Sequence, residues 1–174
     1  MSWRVRPAEP RDAAAMVALA RAVGSEPEGW LITTSDWRSE AEERRYLKAI
    51  RRYPHAAVFV AESEGEIVGR LSVSRDQHPS SAHVADLGLM VAEGWRRQGI
   101  GRALLEAAAA WARGAGVRKL ELHVFPHNEA AIKLYEQVGF EREGYRKQHY
   151  RRSNGEYVDA ILMACEVLVR PARS

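Results

Sequence analysis

Apolar and polar positions along the chain fall into alternating strand-like and helix-like stretches. Trp3–Arg6 predicts a short strand, closed by Pro7. Met16, Leu19, Ala20 and Val23 then recur at helical spacing, predicting a helix capped by Asp12 and stopped at Gly24. Ser39 and Glu42 form an S-x-x-E capping box ahead of Leu47 and Ile50, opening a second helix that ends before Pro54. Between the helices, Ser25–Trp37 is rich in Gly, Pro, Thr and Trp and predicts an ordered loop. Ala56–Glu62 and Glu66–Ser74 are apolar, β-branched runs split by Ser63-Glu64-Gly65, a hairpin signal.

His83–Val91 predicts the next strand. Ile100, Leu104, Ala107, Ala108 and Trp111 mark a helix that Gly114 and Gly116 end. Leu120–Phe125 is a strand before Pro126, and Asn128 caps a helix with Ala131, Leu134, Tyr135 and Val138 on one face. Phe140–Arg151 and Tyr157–Val167 close the pattern as a long hairpin turned at Asn154-Gly155. The order βααβββαβαββ predicts an α+β fold: one mixed sheet of about seven strands with four helices. At 174 residues, with no repeat and no low-complexity linker, residues 1–174 read as a single domain.

Composition narrows the class. A chain 46% hydrophobic and 28% charged belongs with globular proteins rather than disordered ones. The lone Cys165 excludes an internal disulfide framework and a cysteine-rich zinc site. The six histidines stand singly, so no metal is expected. The apolar stretch Ala107–Ala112 is far too short to span a bilayer. Met1-Ser2-Trp3-Arg4 leads straight into charged sequence, so the expected location is the cytoplasm, with no membrane partner. Of the 26 basic residues 22 are Arg, but they are spread along the chain, so no nucleic-acid partner is expected.

The chemistry concentrates in Val91-Ala92-Glu93-Gly94-Trp95-Arg96-Arg97-Gln98-Gly99-Ile100-Gly101-Arg102, which runs from a strand end into a helix start. Gly99 and Gly101 remove Cβ atoms where a ligand approaches backbone amides. The helix N-terminus adds free N–H groups, and the arginines add full charges. The stretch suits a pyrophosphate; its bland alternative is a glycine-permitted turn with solvated arginines. No G-K-[ST] follows, which excludes a P-loop, and Leu104 replaces the third glycine of a dinucleotide fingerprint. Glu121, placed where a ribose-binding acid falls, keeps a dinucleotide site as an alternative.

Arg96-Arg97-Gln98-Gly99-Ile100-Gly101 matches [QR]-x-x-G-x-[GA], the acetyl-CoA motif of the GCN5-related N-acetyltransferase (GNAT) superfamily, which the chain resembles. Asn128-Glu129-Ala130-Ala131-Ile132-Lys133-Leu134-Tyr135-Glu136-Gln137-Val138-Gly139-Phe140 matches its second motif, and the resemblance covers about Ala56 to Val167. Glu93 departs from the pattern, since many members carry proline there. The resemblance implies acetyl-CoA as co-substrate, with the pantetheine and acetyl carbonyl held by Leu89, Met90 and Val91. It implies a pyrophosphate site at Arg96, Arg97, Gln98, Gly99, Ile100, Gly101 and Arg102, and cofactor contacts at Asn128 and Ala131. Asn128 serves equally as a plain helix cap.

Tyr135 matches the family's tyrosine near the coenzyme sulfur, a proton donor to the departing thiolate; otherwise it is a half-buried aromatic. For the general base, Asp86 and His123 are the candidates on the strands that line the site, and a water chain is the third. Trp30, Thr33 and Thr34, with Trp37, fall in the loop that forms part of the family's acceptor wall. Tyr145, Tyr150 and Tyr157 are candidates for the opposite wall, while Glu62, Glu64 and Glu66 read as a solvated edge. The implied reaction is acetyl transfer to a primary amine of a small molecule or a peptide, by direct attack through a tetrahedral intermediate. Cys165 is a poor nucleophile candidate, and the long C-terminal hairpin can support a homodimer. A non-catalytic acyl-CoA-binding regulator is the alternative function.

Overall fold

The computed structural model describes residues 2–32 and 37–167. Its strands are β1 (Arg4–Pro7), β2 (Ala56–Ser63), β3 (Glu66–Arg75), β4 (Val84–Val91), β5 (Lys119–Val124), β6 (Glu141–Arg151) and β7 (Tyr157–Glu166). The helices are α1 (Ala13–Gly24), α2 (Glu40–Ile50), α3 (Ile100–Ala115) and α4 (Glu129–Gln137), joined by short 3-10 turns. The seven strands form one sheet in the order β1-β2-β3-β4-β5-β7-β6. Every pairing is antiparallel except β4 with β5, the pair that α3 bridges as a crossover. The predicted element order and α+β class hold, with strand ends shifted by a residue.

The sheet separates two apolar layers. On one face Leu104, Leu105 and Ala108 of α3 and Ile132 and Tyr135 of α4 pack on Leu71, Leu87, Leu120 and Leu122. On the other, Met16 of α1 and Leu47 of α2 cover Val58 and Val60, while Leu19, Ala20 and Val23 of α1 cover Met90. Alternation along each strand assigns successive residues to opposite layers. Hence Leu87 and Leu89 belong to the α3/α4 face, and Asp86, Gly88 and Met90 to the α1/α2 face. Among the described residues no helix is long and apolar enough to cross a membrane.

α2 starts at the predicted capping box: Ser39 Oγ accepts from the Glu42 amide at 3.2 Å, and the Glu42 carboxylate accepts from the Ser39 amide at 2.8 Å. It is fastened to the sheet by a buried charge cluster that the periodicity does not reveal. Glu43, fully buried, receives Arg70 Nη2 of β3 at 2.8 Å and Arg38 Nη1 at 3.0 Å. The Arg70 guanidinium lies 4.8 Å from the Trp37 ring centre.

Two local expectations are corrected. Asp12 does not cap α1, because it closes a 3-10 turn, accepts from the Glu9 amide and binds Arg6 through both oxygens at 2.8 and 2.9 Å. Glu62 is not a solvated edge residue: Arg4 and Arg6 both donate to it, and those bonds, Arg6 first, hold its carboxyl below the usual range.

Candidate active site

Pairing between the two central strands stops early. β4 and β5 are in register only over Val84–Lys119, Ala85–Leu120 and Asp86–Glu121, beyond which they diverge. The antiparallel ladder on the other side of β4 fixes which backbone groups the gap exposes. Ala92 donates to the Val68 carbonyl and Asp76 to the Val84 carbonyl, so even-numbered residues of β4 bond to β3 and odd-numbered ones point toward β5. Leu89 and Val91 therefore turn their peptide groups into the gap. Met90 spends its own on Arg70 of β3 and contributes only its side chain. Of the three residues expected to hold a thioester through the main chain, two are oriented for it.

The gap opens into a cleft of about 560 Å³ that reaches the first turn of α3. There Gly99 is the N-cap at φ 85°, with no side-chain cap, and the amides of Ile100, Gly101 and Arg102 find no backbone acceptor among the described residues. Arg97, also left-handed at φ 61°, and Arg102 border the same turn. Uncapped N–H groups, helix dipole and two guanidinium groups make this turn an anion cradle. Gly101 has a packing reason as well: a Cβ there lies 2.7 Å from Leu134 Cδ2 of α4.

The other motif residues divide. Arg96 is committed elsewhere: its guanidinium grips both oxygens of Glu26 at 2.6 and 2.8 Å and donates to the Val91 carbonyl at 3.0 Å. Glu26 also accepts from Trp30 Nε1 at 2.9 Å, so Arg96 ties the loop after α1 to the turn into α3 instead of supplying a free charge. The Gln98 side chain donates to the Gly94 carbonyl, away from the cleft. Asn128 caps α4 through the Ala131 amide at 3.3 Å, and both residues line the cleft.

Tyr135 lines the cleft next to Ala131 and Leu134, its ring 5.7 Å from that of Phe140. Its hydroxyl has no hydrogen-bond partner among the described residues, and burial pushes the phenol well above its ordinary range. Cys165 lies on β7 outside this lining, its thiol pushed up to about 11 by burial.

The opposite face of the fork is polar. Asp86 and Glu121 stand side by side on β4 and β5. Asp86 is exposed to solvent, and the protein packed around it, followed by the Glu121 charge, raises its carboxyl to about 6. His123 projects from the same face of β5, two residues on, and its Nδ1 meets the Tyr150 hydroxyl of β6 at 2.5 Å. Glu121 lies across the sheet from α3, away from the glycine turn, which removes the dinucleotide alternative. Of the other predicted wall residues, Trp30 is present, stacked 5.5 Å from His127, whereas Thr33 and Thr34 lie outside the described residues. Tyr145 and Tyr157 are more than half exposed, and Tyr145 binds Asp159, so of the three tyrosines only Tyr150 joins the site.

The profile described as "Acetyltransferase (GNAT) family" matches residues 26–140. The chain belongs to this family. Consistently, it is 36% identical to the L-amino acid N-acetyltransferase AaaT of Escherichia coli, over 92% of this chain and 95% of that protein. Among solved structures, a GNAT-family acetyltransferase from Streptococcus pneumoniae superposes with TM-score 0.87 at 29% identity, covering 95% of this chain and 100% of that one. The ribosomal-protein-alanine N-acetyltransferase of Brucella melitensis superposes with TM-score 0.83 at 27% identity, covering 94% and 99%. This GNAT member is an acetyl-CoA-dependent N-acetyltransferase.

Proposed function

We propose that the enzyme acetylates the primary amine of a small molecule, with L-amino acids the acceptor class to test first. The observation that carries this is the fork itself: anion-binding amides on one side of the sheet, and the Asp86–Glu121 carboxylate pair on the other. Two ties on the loop after α1 support a small acceptor in this reading. Arg152 Nη2 of the β6–β7 hairpin donates to the Gly29 carbonyl at 2.8 Å, and His127 Nε2 meets the Glu28 carbonyl at 2.9 Å. The first tie joins the loop after α1 to the hairpin and the second joins it to the turn between β5 and α4, and this bracing favours a small acceptor over a polypeptide. The similarity to AaaT, an L-amino acid N-acetyltransferase, supports the same class.

In this reading the amides of Ile100, Gly101 and Arg102 hold the coenzyme's pyrophosphate. Those of Leu89 and Val91 receive the pantetheine and polarise the thioester carbonyl as donors fixed in advance. Asp86 and Glu121 draw the acceptor ammonium to the fork. Once deprotonated, the amine attacks, and Tyr135 passes a proton to the leaving thiolate. Neither Cys165 nor a metal takes part. The reading places the enzyme in the cytoplasm and gives β6, exposed along nearly its whole length, to a second copy of the chain.

A panel of L-amino acids, polyamines, aminoglycosides and N-terminal peptides, assayed with acetyl-CoA by release of free thiol, tests the proposal. Turnover confined to small α-amino acids is expected. Turnover of peptides alone overturns the small-acceptor reading.

A further inference from the structure

His123 and Tyr150 form a pair that the fold brings together from distant segments, and the transfer step described above leaves its proton acceptor unnamed. Counting on from the Asp86–Glu121 register sets His123 level with Gly88, across the widening gap and one residue before Leu89. Gly88 has no side chain, and a Cβ there meets nothing closer than Ser72 Oγ at 3.7 Å, so the space in front of His123 stays open. Tyr150 stands over this space: its ring meets His123 edge-on at 5.8 Å and Phe125 at 6.2 Å, and its hydroxyl contacts Nδ1 at 2.5 Å.

The charged and titratable neighbours of the pair are Asp86 on β4, Glu121 on the histidine's own strand, and Arg146 and His149 on β6. Its register partner on β7 is the apolar Leu162. Burial, then Arg146 and His149, lower the imidazole's pKa and keep it neutral. Burial and the Asp86 charge raise the Tyr150 phenol and keep its proton in place. A neutral imidazole facing a protonated phenol has one sensible polarity, in which the hydroxyl donates to Nδ1 and the ring carries its hydrogen on Nε2.

We propose that Tyr150 and His123 act as a two-residue proton relay, Tyr150 touching the acceptor amine and His123 storing the proton. This rests on the acetyl-transfer reading above and adds the path by which the ammonium is activated. The ammonium gives one proton to the Tyr150 oxygen as the phenol passes its own to Nδ1 of His123. The product is a neutral amine beside an imidazolium, with the phenol restored. The nitrogen lone pair then forms the C–N bond, the C–S bond breaks, and the thiolate leaves protonated through Tyr135. The second nitrogen proton restores Tyr135, and His123 returns its proton to solvent. Atoms and charge balance with no further reactant.

The test compares wild type with Tyr150→Phe, His123→Gln, their double variant and Asp86→Asn, measuring kcat/KM from pH 5.5 to 9.5 and acetyl-CoA affinity. Each relay variant is expected to lose about 10²-fold or more at pH 7, on the scale of general acid–base catalysis. The loss should shrink toward pH 9.5, where solution deprotonates the amine, with acetyl-CoA affinity unchanged. The double variant should fall no further than the worse single one, because the two residues act as a unit. Asp86→Asn should raise KM yet keep the acidic limb, which His123→Gln removes. A wild-type pH profile in Tyr150→Phe, multiplicative losses in the double variant, or an acidic limb lost with Asp86 instead of His123 each overturn the relay. Nitrogen NMR of the His123 ring gives a readout independent of turnover. An Nε2–H tautomer that changes in Tyr150→Phe is expected, and an Nδ1–H tautomer in wild type overturns the proposal. Should only peptides be acetylated, the small-acceptor reading fails while the same variants, assayed on the peptide, still decide the relay.

Discussion

At the scale of single residues, Tyr135 and Asp86 are shaped by the same cause with opposite consequences. Desolvation, nearly complete for Tyr135 and partial for the solvent-exposed Asp86, raises the pKa of both, which keeps the phenol protonated and makes the carboxylate less comfortable in its charged form. For Tyr135, replacement by Phe preserves the packing on Phe140 and deletes only the hydroxyl. Turnover should fall ~10²–10⁴-fold with acetyl-CoA affinity intact, and full turnover under chemistry-limited conditions would return the residue to the core. For Asp86, a folded pKa of about 6 against a reference near 3.9 means that the fold prefers the protonated carboxyl. Its stabilising contribution is complete below pH 4 and is lost as pH rises through 6. Asp86→Asn should therefore raise the melting temperature at pH 8 and leave it nearly unchanged at pH 4. Thermal melts at the two pH values check the sign, and a larger gain at pH 4 would reverse it.

At the scale of elements, the turn into α3 carries both strain and function, and the two can be separated. Gly99 is left-handed, and Gly101 abuts Leu134, so a larger residue at either disturbs the cradle by backbone or by packing. Gly65 is a fair control, being equally left-handed at φ 85° but with nothing within 4 Å of a Cβ. Gly65→Ala should cost about 1–2 kcal/mol from left-handed strain and still gain stability on acetyl-CoA binding. Gly99→Val, the left-handed counterpart of Gly65, and Gly101→Val should each lose that ligand-dependent rise in melting temperature. If a folded Gly101→Val protein shows the wild-type rise, α3 does not hold the pyrophosphate. The same element shows what the sequence made legible. Glycine spacing, the Ser39–Glu42 box and apolar periodicity depend on neighbours a few residues away, and each was readable. The Arg96–Glu26 clamp spans 70 residues and the His123–Tyr150 pair 27. Such contacts exist only once the sheet order is known, and a motif letter such as Arg96 does not disclose which carboxylate answers it. Asp12 misled for the same reason: a cap residue and an ion-pair partner look identical until Arg6 is placed.

At the scale of the molecule, the sheet keeps the turn into α3 and the Asp86–Glu121 pair on separate faces, and the helices over the second face are anchored independently of α3 and α4. α2 is anchored by Glu43, Arg70 and Arg38, with Glu43 fully buried and Arg70 2% exposed. Burial first, and then the Arg38 charge, lower the Arg70 pKa against the pull of Glu43, a sign that its charge is costly to hold there, and its Nε finds no acceptor among the described residues. Such a pair contributes little net stability, because desolvation offsets most of the attraction, yet breaking it strands a charge in the interior. Glu43→Met should accordingly destabilise by about 3–5 kcal/mol, a large fraction of the roughly 5–15 kcal/mol typical of a domain. Arg38, exposed enough to turn to water, does not add a second penalty. Glu43→Met combined with Arg70→Met replaces the pair with apolar side chains and should recover most of the loss. Urea denaturation of wild type, both single variants and the double variant closes the cycle. Acetyl-CoA should still raise the melting temperature of the double variant, because the cradle lies on the other face. Additive losses in the double variant would mean that Glu43 and Arg70 hold α2 by separate contacts and that this helix has no single anchor.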